Sequence, residues 1–308
     1  MRILVTGASG LLGLNFSLRF SDEHSIIGIV NSHLFHEVPF SVQPVDLSIE
    51  KNVHGLINQY KPDVLINCAA IADVDKCEED PQGAELLNAE LPGWLAEVCA
   101  RSSVQLVHLS TDAVFDGTKE GKYTEEDIPN PLGVYAHSKL MGEKAVQQVD
   151  RTAVIARVNF YGFSLSGTRS LAEVFLHNLQ NRKEMFGFTD ILFSPLYVLD
   201  LAEIIMKIVT KELSGLYHVT SPESQSKYDF GLSIAQKFKL DESLIQPISV
   251  NDANFLSARR SKNLMLDPQK ASQALGMDFP AQQEGLERFY QSYLAGFAQR
   301  IYTLREGV

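Results

Sequence analysis

Two short stretches of this 308-residue chain carry side chains suited to proton chemistry. Leu106-Val107-His108-Leu109 reads as an apolar strand that runs into Ser110-Thr111-Asp112, and hydroxyls at the carboxyl end of a parallel strand face a ligand crevice. Farther along, Tyr135-Ala136-His137-Ser138-Lys139 falls on a helix expected after Pro131. The i, i+4 spacing puts Tyr135 and Lys139 on one helix face. A free tyrosine titrates near ~10, so it works poorly as an acid or base at neutral pH. A neighbouring ammonium favours the phenolate and brings that value toward the working range. Thr111, Tyr135 and Lys139 are therefore the candidate catalytic trio. His137 lies off the shared face, and His108 is expected to be a core histidine.

A Tyr-xxx-Lys pair arises by chance on many surface helices, so the glycines carry much of the weight. Gly7-Ala8-Ser9-Gly10-Leu11-Leu12-Gly13 follows the strand Ile3–Thr6 and opens a helix. Gly7 suits a tight turn, Gly10 a close backbone approach to a pyrophosphate, and Gly13 helix–strand packing. The free N–H groups at that helix start, including those of Leu11 and Leu12, favour a bound anion. The pattern predicts a dinucleotide. The second strand ends in Ile29-Val30-Asn31-Ser32-His33, with no carboxylate to bind a ribose 2′-OH and no arginine to attract a 2′-phosphate. NADPH is the expected cofactor, with Asn31 beside its ribose and NADH as the alternative. Pro44-Val45-Asp46-Leu47 offers Asp46 and Leu47 to the adenine edge, or Asp46 as a cap for the helix that follows.

Positioning these groups requires strands whose carboxyl ends meet. Candidate strands are Ile3–Thr6, Ile26–Val30, Val64–Asn67, Val104–Leu109 and Ala153–Arg157, and candidate helices are Leu11–Phe20, Val53–Tyr60, Gln82–Arg101 and Val134–Val149. Their alternation, with nearly continuous apolar strands, predicts an α/β fold: a Rossmann-type, doubly wound parallel sheet. After about Asn159 the rhythm loosens into helices at Ser170–Arg182, Leu199–Lys211, Lys227–Phe238 and Gln282–Arg300. The expected division is a dinucleotide-binding domain over residues 1–158, which also receives the helix near 199–211. A smaller, partly interleaved C-terminal α/β substrate lobe covers 159–308, with a cleft between the two.

Composition narrows the partners. Lys plus Arg total 27 against 38 Asp plus Glu, a net charge of −11, and 45% of residues are hydrophobic. Such acidity disfavours nucleic acid and anionic membranes. The three cysteines, Cys68, Cys77 and Cys99, form neither a CxxC pair nor an even set, so reduced structural thiols in a cytoplasmic protein are expected. No run approaches the ~20 apolar residues of a membrane span. No His/Asp/Glu cluster has metal-ligand spacing, so no metal is expected.

The glycine loop with YxxxK resembles the extended short-chain dehydrogenase/reductases, and finer motifs resemble their dTDP-4-dehydrorhamnose reductase branch. These motifs are Ile66-Asn67-Cys68-Ala69-Ala70, Asp73-Val74-Asp75-Lys76-Cys77-Glu78, Asn88-Ala89-Glu90, Ser110-Thr111-Asp112-Ala113-Val114-Phe115-Asp116-Gly117 and Pro131 to Glu143. Asp200-Leu201-Ala202 and Gly215-Leu216-Tyr217-His218-Val219 add looser matches. The resemblance implies that Tyr135 protonates the carbonyl of a nucleotide-linked 4-keto sugar. It also implies that Lys139 holds the nicotinamide ribose and that Thr111 hydrogen-bonds the developing oxyanion. Ala69 and Ala70 would line the cofactor groove, with Asn88 buttressing it. The substrate would meet Thr111, Asp112, Ala113, Phe115, Asn159 and Arg260; the last lies in the basic run Arg259-Arg260-Ser261-Lys262. A homodimer is the assembly suggested.

Departures shape the expectation. Sugar-nucleotide dehydratases carry Thr-Asp-Glu where this chain has Thr111-Asp112-Ala113, so the elimination base is absent and reduction fits best. The family's usual tyrosine is replaced by Ala113, which leaves space near the sugar. Asn159-Phe160-Tyr161-Gly162 stands for the usual Trp-Val-Tyr-Gly. The default substrate is dTDP-4-dehydro-L-rhamnose. The alternatives are a different nucleotide sugar, or a non-catalytic NAD(P)-binding subunit like the regulatory one of methionine adenosyltransferase.

Overall fold

The computed structural model describes residues 1–31, 35, 37–256 and 258–304. Seven parallel strands form one sheet. In chain order they are β1 (Arg2–Thr6), β2 (Ser25–Val30), β3 (Ser41–Pro44), β4 (Val64–Asn67), β5 (Gln105–Thr111), β6 (Val154–Val158) and a last strand, Gly215–Val219. Across the sheet the order is Gly215–Val219, β6, β5, β4, β1, β2, β3. The order in which strands are added reverses between β1 and β4, which is where an open parallel sheet presents a crevice at its carboxyl edge.

The strand side chains alternate between two cores. Ile3 and Val5 join one hydrophobic cluster and Leu4 the other; Val64 and Ile66 oppose Leu65 in the same way, as do Val107 and Leu106. A strand apolar on both faces must be covered on both. Helix α1 (Leu11–Phe20) and the helix Val198–Thr210 cover the first face, tied outside by Arg19 and Glu203 at 2.6 Å. The other face is covered by α2 (Glu50–Tyr60) and, beyond the short α3 (Val74–Glu79) and α4 (Pro81–Glu85), by α5 (Leu91–Ser102). Each fully buried Leu or Ile contributes roughly 1.5–3 kcal/mol, so these two clusters are what hold the carboxyl edge in place.

Where one helix was expected over Gln82–Arg101, the chain instead runs through a π-helical turn at Leu86–Glu90 between α4 and α5. Helix α6 (Gly133–Val149) packs against this turn. The contact needs a glycine, because a Cβ on Gly142 would lie 2.2 Å from the carbonyl oxygen of Asn88. The expected helix Gln282–Arg300 is likewise two, Gln282–Leu294 and Phe297–Thr303, parted at Gly296 with φ +77°. Beyond β6, small pairings such as Met185–Phe188 with Ile245–Ile248 build the rest of the chain against the sheet.

Candidate active site

Helix α6 delivers Tyr135 and Lys139 to the carboxyl end of β5. Its first turn is anchored by Glu78 of α3, whose Oε1 accepts the Val134 N–H at 2.8 Å and so satisfies a donor the helix itself leaves unpaired. Lys139 is buried and donates from Nζ to the Leu109 carbonyl at 2.6 Å, beside the last residues of β5. Burial brings its ammonium down to about 8, against an upward pull from Glu143. Glu143 follows four residues later and forms a buried two-pronged pair with Arg157 of β6, at 2.9 and 2.7 Å; Ser110 donates to the same carboxylate at 2.5 Å. The Arg157 guanidinium lies over the Phe115 ring, 5.0 Å from its centroid.

Tyr135 is half-buried, with the Thr111 hydroxyl acting on its phenol. Burial pushes its phenol up to about 12, with Asp112 and Cys77 adding to the rise and Thr111 opposing it. The expected depression by Lys139 is not among the influences on the phenol: the ammonium is directed at a backbone carbonyl, and desolvation dominates at Tyr135. The phenol is thus protonated at neutral pH, the state a proton donor needs. Thr111 Oγ1 donates to Asp112 Oδ1 at 3.0 Å and accepts the Ala113 N–H at 3.1 Å, and Asn159 donates to the other oxygen of Asp112. Buried Asp112 is raised to about 6 by desolvation, moderated by Asn159, Thr111 and Lys227.

Beside this cluster a cleft of about 790 Å³ is lined by Gly10, Leu11, Leu12, Gly13, Cys68, Ala70 and Leu109, and on its far wall by Phe160, Ser166 and Thr168 to Leu171. Gly7 turns with φ +63°, and a Cβ there would lie 2.7 Å from Ala69 N; one on Gly13 would lie 2.4 Å from Gly7 O. The loop is therefore pressed against both β4's end and its own helix. The first turn of α1 has no side-chain cap, so its N–H donors are left to face the cleft. A crevice at the strand-order reversal with unpaired N–H groups fits a dinucleotide pyrophosphate. Asn88, fully buried in the π-helical turn, holds the floor: it bonds both N–H and C=O of Ile71, at 2.9 and 3.0 Å, and Ser138 at 3.1 Å.

The other expected residues are distributed as follows. Ala69 sits behind the lining, its N–H bonded to Asn67 Oδ1 at 3.2 Å. Asn31 is exposed at the end of β2, while Ser32 and His33 lie outside the described residues. Asp46 closes a turn onto Ser48, at 2.9 and 2.6 Å, which holds its carboxyl below the ordinary range; α2 starts later, with Ile49 at the cap position. Leu47 is buried in the second core cluster, away from the cleft. Phe115, expected at the sugar, has no exposed surface: it stacks on Tyr123 at 4.0 Å within a small core of Val114, Leu140 and Leu266, so its part is packing. Arg260 is bound to Asp75 at 2.7 Å, bridging the late basic run to α3. Residues that sequence reasoning passed over are Lys227, placed between Asp112 and Arg260, and Lys76 and Arg169, which line the cleft. A basic residue at the start of a helix, after the capping Ser226, was the one available signal for Lys227.

His108 is a buried, neutral histidine held far below its ordinary pKa by desolvation; its Nδ1 lies 3.0 Å from the Asn67 amide. Burial pushes Cys68 up to about 12. Among the described residues no group of three or more His, Cys, Asp or Glu is placed to hold a metal ion, and no helix is long and apolar enough to cross a membrane.

Known proteins give this geometry a family. Residues 1–295 match the RmlD substrate binding domain. The chain is 32% identical over 292 residues to "Probable low-salt glycan biosynthesis reductase Agl14" of Haloferax volcanii, covering 93% of this chain and 96% of that one. It is 33% identical over 279 residues to methionine adenosyltransferase 2 subunit beta of Rattus norvegicus, covering 87% and 81%. The crystal structure of dTDP-4-dehydrorhamnose reductase from Bacillus anthracis in complex with NADP superposes with a TM-score of 0.85 at 27% identity, over 94% of this chain and 99% of that one. A match that runs from the glycine loop through the helix Gln282–Leu294 covers both the cleft and the cluster beside it, and the chain belongs to the RmlD substrate-binding domain family.

Proposed function

We propose that this protein is an NAD(P)H-dependent oxidoreductase that reduces the 4-keto group of a nucleotide-linked 6-deoxy sugar, with dTDP-4-dehydro-L-rhamnose as the default substrate. The observation that carries this reading is the convergence of Thr111, Tyr135 and Lys139 beside a glycine-loop cleft. The Bacillus anthracis relative, crystallised with NADP, supports both the cofactor and the substrate class.

In this reading Gly7, Gly10 and Gly13 cradle the pyrophosphate, with the N–H groups of Leu11 and Leu12. Ala69, Ala70 and Asn88 form the groove, and Asn31 and Asp46 meet the adenosine end. The bound nicotinamide supplies a hydride. Tyr135 gives its proton to the sugar's carbonyl oxygen, and Lys139 holds the nicotinamide ribose. Asp112, Ala113 and Asn159 face the sugar, and Arg260 and Lys227 the diphosphate. Residues 1–158 with the helix Val198–Thr210 serve the cofactor, and the remainder serves the substrate.

The test is oxidation of NADPH and NADH against a panel of dTDP- and UDP-linked 4-keto sugars. Turnover of a dTDP-linked 4-keto-6-deoxy sugar, faster with NADPH, is the expected result; silence across the panel contradicts the reading. The identity to the methionine adenosyltransferase subunit favours a second reading, a non-catalytic NAD(P)-binding regulatory subunit. Its signature is cofactor binding without turnover, together with a stable complex with an enzyme from the native cell.

A further inference from the structure

The far wall of the cofactor cleft is a loop shaped by one buried side chain. Residues 163–170 lead into the helix Leu171–Gln180, and Ser166, Thr168, Arg169 and Ser170 border the cleft. Behind the same loop, Leu165, Ser166, Gly167 and Thr168 border a second cavity of about 640 Å³, closed by the helices Gln282–Leu294 and Phe297–Thr303. With open space on both sides, the loop cannot take its shape from packing alone. Glu173, 1% exposed, supplies it: its carboxylate accepts the N–H groups of Ser164 at 2.6 Å, Arg169 at 3.2 Å and Ser170 at 3.1 Å, and the Ser164 hydroxyl at 2.7 Å.

A capping box at the start of that helix accounts for the Ser170 bond alone. The other three reach back as far as Ser164, and among the described residues no Lys or Arg side chain pairs with Glu173. Burying a carboxylate away from any cation is costly, and this one is used wholly to hold a single stretch of chain. The ends of the loop are pinned separately. Asn15, fully buried in α1, donates to the Phe163 carbonyl at 2.9 Å, and Ser170 Oγ donates to the Gly162 carbonyl at 2.6 Å. The wall is thus registered against α1, the helix whose first turn faces the cleft. Arg169 stands exposed on it, its backbone N–H on Glu173 and its side chain without a carboxylate partner among the described residues.

We propose that Arg169 is the cationic ligand of the cofactor's diphosphate, closing on it from the wall opposite the Leu11 and Leu12 N–H groups, and that Glu173 is the residue that positions it. The proposal rests on the NAD(P)H part of the reading above and holds for a reductase and for a binding subunit alike. A dinucleotide diphosphate carries two negative charges, whereas a helix N-terminus offers the equivalent of roughly half a positive one. In a chain of net charge −11 the remainder must be supplied locally. A guanidinium can donate to two phosphate oxygens at once, and its fixed fork gains most when its backbone is already held. Lys76 borders the same cleft from α3, but an ammonium on a flexible stem lacks that two-pronged fit.

The experiment titrates NADPH and NADH by fluorescence, at low and high KCl, into wild type, Arg169→Ala, Arg169→Lys, Glu173→Gln and the double variant Arg169→Ala/Glu173→Gln. Arg169→Ala should weaken both cofactors by about tenfold, because both carry the diphosphate. Its affinity should also depend less steeply on salt than that of wild type. Arg169→Lys should recover the salt dependence and part of the affinity. Glu173→Gln turns an amide donor toward the loop's own N–H groups, so it should lose about as much as Arg169→Ala. The double variant should then bind little worse than either single one, since Glu173 acts through Arg169. Should Glu173→Gln fail to fold, Ser164→Ala removes one of the four bonds and should cost about threefold, only while Arg169 is present. If Arg169→Ala binds both cofactors like wild type, or weakens NADPH alone and so reports on the 2′-phosphate, the assignment is overturned while cofactor binding stands. Additive losses, in the double variant or in Ser164→Ala/Arg169→Ala, overturn the positioning by Glu173. If wild type binds neither cofactor, the NAD(P)H reading falls as well.

Discussion

The buried Glu143–Arg157 pair, one turn beyond Lys139, gives a sharp test of what holds helix α6. Both side chains are 3% exposed, and two hydrogen bonds of 2.9 and 2.7 Å join them. Arg157→Met removes one charge and leaves Glu143 buried with Ser110 as its close donor, at 2.5 Å. Stranding one member of a buried ion pair costs about 3–5 kcal/mol. Loss of the guanidinium over Phe115, 5.0 Å from the ring centroid, acts in the same direction, so about 4 kcal/mol is a lower-side figure. Taking about 4 kcal/mol and a urea slope of about 3 kcal/mol per molar for a chain of this size, the unfolding midpoint should fall by about 1.3 M. The double variant Glu143→Gln/Arg157→Met leaves neither charge stranded, so it should lose clearly less than the sum of the two single variants. Urea titration followed by circular dichroism reads both quantities. A midpoint shift below about 0.3 M for Arg157→Met, or strict additivity in the double variant, would refute the reasoning.

Other outcomes follow from the same structure. Gly142→Ala drives a methyl group to 2.2 Å from the Asn88 carbonyl, so α6 must move off the π-helical turn. We expect a loss of about 1–3 kcal/mol in urea unfolding together with weakened NADPH affinity; an unchanged variant contradicts the packing account. His218 is held down to about 3 by burial and Arg157, below its unfolded value near ~6.5. The unfolded state therefore binds the proton first, and stability present above pH ~6.5 is lost as pH falls toward 3. Replacing His218 with Gln should flatten that part of the stability–pH curve, measured by urea midpoints at several pH values. Cys68 and Cys99 are pushed up to about 12 and Cys77 to about 11, each chiefly by burial. A chromogenic disulfide at pH 7.5 should find no fast-reacting thiol in the native protein and three after denaturation.

Much of the site was legible because its signals are local. A glycine loop depends on turn geometry over a few residues, and Tyr135 and Lys139 share a helix face by spacing alone. Both-face apolar strands such as Val64–Asn67 announce a covered parallel sheet in the same way. What the sequence concealed depends on distant partners. The π-helical turn at Leu86–Glu90 is stabilised by Asn88 reaching Ile71 and Ser138, a constraint that no window of helical periodicity registers. Gly215–Val219 stood out only as a motif, yet it pairs with β6 as the edge strand. Phe115 reads as pocket lining from its place after Thr111, but Tyr123 and Arg157 enclose it. Arg260 and Lys227 take their positions from Asp75 and Asp112, which lie far away along the chain.

The central claim is that the Tyr135 phenol delivers the proton to a sugar carbonyl. Its most direct test is Tyr135→Phe, assayed by NADPH oxidation with the dTDP-linked 4-keto-6-deoxy sugar and by NADPH binding to the same preparation. The account predicts a fall in kcat of about 10²–10⁴-fold with cofactor affinity within about twofold of wild type. Retained turnover with phenylalanine at this position would contradict it.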